Sequence, residues 1–221
     1  MISFEDVSFT YGQTPVLEGA SFAIGDAGLV VLAGETGAGK STIVRLCHLE
    51  LWPNRGQIRL WGEVSQPRDE RAAARLRRRM GVVPEESRLI ERLNIAENIE
   101  LPMTVTGGRR RERDLMELIE WIGLGGREHE HPSTLTAAET RRAALARALI
   151  VSPELLLLDE PLSGLDPGSA ADLLSLLLDL QTIGRPIVLA SRDPDLTDDL
   201  RRRASARVLT LASGRVVEDA P

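Results

Sequence analysis

The stretch Gly34-Glu35-Thr36-Gly37-Ala38-Gly39-Lys40-Ser41-Thr42 constrains this chain more than any other part of its 221 residues. Leu29 to Ala33 before it read as a short buried strand, and Ile43 to Leu51 after it as a helix. A glycine-rich turn between strand and helix points backbone N–H groups at one spot, and the helix adds the positive end of its dipole. The spacing G-x-x-x-x-G-K-S is that of a phosphate-binding loop. Lys40 is the single lysine, and every other one of the 27 Lys+Arg residues is arginine. A compact ammonium on a flexible stem enters a phosphate cradle where a planar guanidinium is too broad. Ser41 offers the hydroxyl that a magnesium ion needs. Nucleotide binding is therefore expected at Gly34, Glu35, Thr36, Gly37, Ala38, Gly39, Lys40, Ser41 and Thr42.

Length allows one large domain, or one domain with an inserted lobe. An apolar fraction of 43% is enough for a real core, and a net charge of −6 gives no reason to expect nucleic acid. Aromatic residues make up 3%, too few for platforms that stack single strands. The longest apolar run, Leu173 to Leu178 with one serine, is too short to cross a bilayer. No basic-then-apolar N-terminal pattern marks a signal peptide. The lone Cys47 has no partner for an internal disulfide and is expected to be buried. These features fit a cytoplasmic chain, with peripheral membrane attachment left to a partner.

Along the chain, strand formers fill Ile2 to Tyr11 and resume from Val16 to Ile24 after a turn at Gly12 to Pro15. Pro53 to Gly56 read as a turn, Gln57 to Trp61 as a strand, and Arg68 to Arg79 as a surface helix. Gly81-Val82-Val83 is a short strand ended by Pro84. From Glu85 to Leu149 the pattern is helical, punctuated by a Pro102 to Gly108 loop, a Gly123 to Gly126 turn and Pro132. Uninterrupted apolar runs at Leu155 to Leu158 and Ile187 to Ala190 suit parallel strands buried on both faces. Val208 to Leu211, Ser213-Gly214 and Val216-Val217 close the chain as a hairpin. The expected fold is α/β, a mixed or parallel sheet core with an inserted helical lobe. All of 1–221 forms one domain, with core lobe 1–84 and 150–221 and helical lobe 85–149.

Leu155 to Leu158 lead into Asp159-Glu160-Pro161, which puts two carboxylates at the end of a buried strand, where α/β proteins bind ligands. Asp159 can hold magnesium, and Glu160 is placed to orient an attacking water. With Leu135-Thr136-Ala137-Ala138-Glu139 and Ser163-Gly164-Leu165-Asp166, these motifs resemble the ATP-binding subunits of ABC transporters over nearly the whole chain, in that family's order. The resemblance implies a P-loop NTPase fold of the ABC ATPase type, ATP hydrolase activity with Mg2+, and ATP sandwiched between two copies of the chain. It implies that Tyr11 stacks on adenine and that Ser163 to Asp166 cross the dimer interface. It also implies an integral membrane permease-like subunit docked at the cleft near Glu85, with Leu93, Ile95, Ile99 and Leu101 as candidates to line or support it and core burial the equal alternative for each. Within the family, Arg77, Gly81-Val82-Val83, Arg88-Leu89, Glu97-Asn98-Ile99 and Leu101-Pro102 look most like FtsE, the cell-division ATP-binding subunit. That subfamily works with the membrane protein FtsX and regulates cell-wall hydrolases. A conventional exporter ATPase and an ATP-binding scaffold with little turnover are the alternatives.

The chain departs from the family's pattern at three functional places. Thr136, Ala137 and Ala138 replace Ser-Gly-Gly of the signature that faces the other subunit's γ-phosphate. Thr136 keeps a hydroxyl and, with Glu139, makes a capping box whose helix N-terminus points at phosphate; the alanines add methyl groups where backbone approaches closely. Glu85 stands where glutamine senses magnesium and water; it can still ligate magnesium but loses a donor and adds charge. Arg192 stands where histidine contacts the γ-phosphate. Glu160, Arg192 and Glu85 are the expected catalytic residues, Ser41, Asp159 and Glu85 the expected metal ligands. Tyr11, Thr136, Ala138, Glu139 and Asp166 complete the expected nucleotide contacts. ATP binding with slow hydrolysis is the resulting expectation, and a compensating Arg192–Glu85 pair with ordinary turnover the alternative. His129-Glu130-His131 reads as a solvated loop, not a metal site. The runs Arg77–Arg79, Arg109–Arg111 and Arg201–Arg203 read as solvated faces.

Overall fold

The computed structural model describes residues 1–25, 28–65, 69–106 and 112–218. Four strands, β1 (Ile2–Tyr11), β2 (Thr14–Ile24), β4 (Arg55–Leu60) and β5 (Glu63–Val64), form an antiparallel sheet in the order β2-β1-β4-β5. Six more, β3 (Leu29–Ala33), β6 (Met80–Val83), β7 (Leu155–Asp159), β8 (Ile187–Ser191), β9 (Arg207–Ala212) and β10 (Arg215–Glu218), form a second sheet in the order β10-β9-β3-β8-β7-β6. That sheet is parallel from β9 to β6, and only β10 runs antiparallel.

Successive side chains of a strand point to opposite faces, so a parallel strand covered on both sides must be apolar throughout. In β7, Leu155 and Leu157 join one core while Leu156 and Leu158 join another; in β3, Val30 and Leu32 part from Leu29 and Val31 in the same way. The first core lies against the antiparallel sheet and α1 (Lys40–Cys47). The second is covered by α5 (Ala137–Leu149), α6 (Pro167–Thr182) and α7 (Pro194–Ala204). Between β6 and β7 come α3 (Ile95–Thr106), α4 (Glu112–Trp121), a 3-10 turn at Pro132–Thr134 and α5, around a third cluster that includes Ile95, Ile99, Leu115 and Ile119. α5 serves two cores: Ala143 and Ala146 pack in the third cluster, Ala144 and Leu145 in the second. Among the described residues no helix is long and apolar enough to cross a membrane.

Several expected boundaries move. α1 begins at Lys40, three residues early, because Gly39 caps it from a left-handed φ of 103°. It ends at Cys47, since Leu49 takes a φ of 57°. The turn expected at Gly12 to Pro15 is shorter, with β2 starting at Thr14, and α2 (Glu70–Arg77) starts after its cap Asp69. β4 begins at Arg55, inside the expected turn, because Arg55 pairs with Ser8 of β1. The loop expected from Pro102 is a helix up to Thr106: α3 carries Pro102 in its interior. Buried Asn98 anchors that helix, accepting from the Ile90 N–H at 2.7 Å and donating to the Ile90, Leu93 and Asn94 carbonyls, each at 3.0 Å.

Two arginines expected in solvent are structural. Arg77 donates to the Leu49 carbonyl at 2.5 Å and the His48 carbonyl at 3.3 Å, holding the end of α1. Arg79 makes a two-point bond to Glu154 (2.7 and 2.6 Å) and stacks 3.9 Å over Trp61. Arg202 and Arg203 pair with Asp199, and Arg201 with Asp198, as their acidic neighbours suggest. Arg109–Arg111 lie outside the described residues.

Candidate functional site

β3 delivers the chain to Gly34, where a Cβ would lie 2.7 Å from the Leu211 carbonyl, so only glycine lets the loop pass β9 so closely. The loop then wraps the start of α1. Lys40, 5% exposed, donates from Nζ to the Gly34 carbonyl at 2.8 Å and the Glu35 carbonyl at 3.0 Å. Its ammonium lies 3.4 Å from Glu160 Oε1. Beside it Ser41 Oγ donates to Asp159 Oδ1 at 3.0 Å.

The two carboxylates come from the end of β7, where Asp159 pairs with Ala190 of β8. Glu160 donates its N–H to the Ala190 carbonyl at 3.0 Å and takes a left-handed φ of 47°. Such a φ is costly for a glutamate and aims its side chain back at the loop. Asp159 and Glu160 are each 7% exposed. Burial pushes the Asp159 carboxyl above its usual range; the Ser41 bond opposes this, the charges of Glu85 and Glu160 add to it, and Lys40 opposes it. Ser41 and Asp159 suit a magnesium ion that takes its remaining ligands from phosphates and water. Among the described residues no group of three or more His, Cys, Asp or Glu forms a protein-only metal site, His129 and His131 included.

Gly34 to Ala38 line a cleft of about 670 Å³ with Pro15, Val16 and the Thr210–Gly214 turn. Tyr11, 44% exposed, packs edge-on to Phe9. Its hydroxyl receives a bond from Arg45 Nη1 at 3.0 Å and lies 3.5 Å from Thr42 Oγ1, so the phenol is tethered to α1. Cys47 is buried on the same helix, its thiol pushed up to about 12 by burial, which makes it unreactive.

Glu85 is exposed, on the loop after β6. It lines a cleft of about 460 Å³ with Ser41 and Asp159, and a second of about 410 Å³ with Leu89, Pro132, Leu135, Thr140 and Arg141. Of Leu93, Ile95, Ile99 and Leu101, Ile95 and Ile99 are buried in the third cluster, and the apolar lining of the second cleft comes from Leu89, Pro132 and Leu135. Arg192 donates from Nη2 to Ser163 Oγ at 2.8 Å, beside Glu160. Arg141, half-buried on α5, lines the second of these clefts with Glu85 and feels the charge of Glu85 and then of Glu160.

At the N-terminus of α5 the capping box is complete: the Glu139 N–H donates to Thr136 Oγ1 at 3.2 Å, and the Thr136 N–H to Glu139 Oε2 at 2.8 Å. The Thr136 bonds, together with Arg127, hold the Glu139 carboxyl below its ordinary value. Thr136 and Ala137 are exposed and Ala138 half-buried. Asp166 acts locally, capping α6 by accepting from the Gly168 and Ser169 N–H groups at 3.1 Å each. Thus Lys40, Ser41, Asp159 and Glu160 converge, Glu85 and Arg192 flank them, and Thr136, Ala138, Glu139 and Asp166 start helices at other points of the chain. Arg141 escaped the sequence reading; its only signal was its position two residues after the capping box.

The ABC transporter family profile matches residues 17–163. A methionine import ATP-binding protein from Brucella abortus (strain 2308) is 32% identical over 224 residues, covering 100% of this chain and 60% of its own length. The chain thus spans 60% of that relative. The octopine permease ATP-binding protein P of Rhizobium radiobacter is 30% identical, covering 100% of this chain and 87% of its own. A dimeric ATP-binding cassette solved in a post-hydrolysis state with ADP and Pi superposes with a TM-score of 0.86 at 25% identity, covering 99% of this chain and 98% of the cassette.

Proposed function

This chain belongs to the ABC transporter family, and on that premise we propose that it is the ATP-binding subunit of a membrane complex, closing as a homodimer on ATP and reopening after hydrolysis. One observation carries the reading: Lys40, Ser41, Asp159 and Glu160 meet at the carboxyl ends of β3 and β7. Lys40 exchanges its loop carbonyls for phosphate oxygens. Ser41 and Asp159 hold the magnesium, whose charge offsets that of the phosphates, and Glu160 orients the attacking water. Tyr11 offers its ring to adenine. The start of α5, with Thr136, Ala138 and Glu139, faces the phosphate held by the other subunit, and Asp166 sets the start of α6 beside that interface. The helical segment 85–149 is the lobe that receives the membrane partner, at the cleft near Glu85. The partner keeps the chain on the inner face of the cell membrane.

Turnover is slow in this reading. Ala137 and Ala138 keep the facing backbone at a distance, Glu85 adds a negative charge beside Asp159, and Arg192 must release Ser163 to reach phosphate. For the biological role, the resemblance of Arg77 to Pro102 to FtsE supports a regulator of cell-wall hydrolases paired with an FtsX-like protein. The names of the methionine and octopine relatives favour a second reading, solute import. Steady-state ATP hydrolysis by this chain and its Glu160→Gln variant, with and without the native membrane partner, tests both levels. No affinity for Mg·ATP sinks the whole reading, and turnover of the isolated chain at about 1 s⁻¹ or faster sinks the slow-cycle part. Co-purification with a membrane protein bearing a large periplasmic domain supports the cell-division role; hydrolysis stimulated by a solute supports import.

A further inference from the structure

α5 grips, through two arginines, the loops on either side of the paired carboxylates. Arg141 Nη1 donates to the Glu160 and Pro161 carbonyls, both at 2.7 Å, and Nη2 to the Ser163 carbonyl at 3.1 Å. One planar guanidinium thus fixes three carbonyls of the turn in which Glu160 takes its left-handed φ of 47°. Further along the helix, Arg147 donates to the Ser87 carbonyl at 2.6 Å and the Arg88 carbonyl at 2.8 Å, in the loop that carries Glu85. Glu85 and Arg141 face the same cleft. Burial lowers the affinity of Arg141 for its proton, and the nearby carboxylates, Glu85 before Glu160, oppose that loss.

We propose that Arg141 is a positioning residue for Glu160, with Glu85 as its counter-charge, so that α5 links the 85–88 loop to the carboxylate that orients water. The link rests on the nucleotide reading above and explains why a carboxylate at 85 is tolerated beside Asp159. Its charge is matched by Arg141, whereas an amide would leave a half-buried guanidinium with carbonyl dipoles and Glu160 alone. Lysine at 141 keeps the charge and loses the three-carbonyl span; glutamine loses both.

The experiment uses the full chain and four variants: Glu85→Gln, Arg141→Gln, the two combined, and Arg141→Lys. Thermal unfolding without nucleotide reads the pair: Arg141→Gln is expected to lower the midpoint less when residue 85 is already glutamine. Additive midpoints overturn the pair. Single-turnover hydrolysis reads the positioning: Arg141→Gln and Arg141→Lys are each expected to slow the chemical step about tenfold or more. Over the same comparison, the Kd for Mg·ATP should change by less than about threefold. An unchanged rate, or an affinity lost in step with the rate, overturns it. If the parent chain binds no Mg·ATP, the nucleotide reading and the positioning role fall together, while the nucleotide-free melts still decide the charge pair.

Discussion

An ionised Asp159 costs the fold stability. Burial first, then the charges of Glu85 and Glu160, raise its pKa above the ordinary 3.8, against the pull of Ser41 and Lys40. Between 3.8 and that raised value the folded chain binds more protons than the unfolded one. Stability therefore falls as pH rises through this window and stays lower above it. Asp159→Asn removes the buried charge and keeps an acceptor for Ser41. The variant is expected to melt about 2–4 °C above the parent at pH 7, the size of a typical single stabilising change in a domain this large. The gap should close towards pH 3.8, and Mg·ATP binding should be lost, as calorimetry across pH and a nucleotide titration would read. Asp159, Glu160, Lys40 and Ser41 were legible because their spacing within local motifs determines what they can reach. Arg141 on three carbonyls, Arg192 on Ser163 and Arg79 on Trp61 were not. Those contacts depend on how α5 meets the turn after β7 and how the residue before β6 meets the turn after β4, distances that no local pattern encodes.

At the scale of the element, the start of α5 was readable from Thr136 and Glu139 three residues apart, and the structure closes both halves of that box. Thr136→Ala removes the acceptor of the Glu139 N–H and is expected to cost about 1 kcal/mol. That is a fall of roughly 2–4 °C in the unfolding midpoint. An unchanged midpoint would mean that tertiary packing, not the cap, decides where this helix begins. α6 and α7 were missed although each opens on the same signal, Asp166-Pro167 and Asp193-Pro194, a capping carboxylate followed by proline at the first helical position. The apolar run of α6 was weighed only against the span of a membrane, when its period also suited a helix lying on the sheet. The proline at 102 misled in the opposite direction. Packing of Ile95 and Ile99 and the four bonds of Asn98 hold α3 helical up to and through a residue that, taken alone, breaks helices.

At the scale of the whole molecule, the parallel sheet was foreseeable from strands apolar on both faces, but its order was not. β3 lies between β8 and β9, strands well over a hundred residues later, so the pairing joins segments that no short-range signal links. Two antiparallel strands at the N-terminus also paired with a later one into a separate sheet that propensity alone does not distinguish from the first. The proposed cycle makes a prediction on this scale. With Mg·ATP, Glu160→Gln is expected to elute at twice the monomer mass in light-scattering chromatography, and to return to monomer when nucleotide is removed. A variant that stays monomeric at millimolar ATP would mean that the membrane subunit, not the nucleotide, brings two copies together.

Lys40 has one further use, which follows from its being the sole lysine and lying 5% exposed inside its loop. Its Nζ is the one side-chain amine in this sequence, and it is buried. Labelling with acetic anhydride should mark Nζ slowly, and a bound triphosphate should slow it further. Mass spectrometry of the peptide that holds Lys40 then becomes an occupancy gauge with no reporter attached: its acylated fraction tracks ligand saturation.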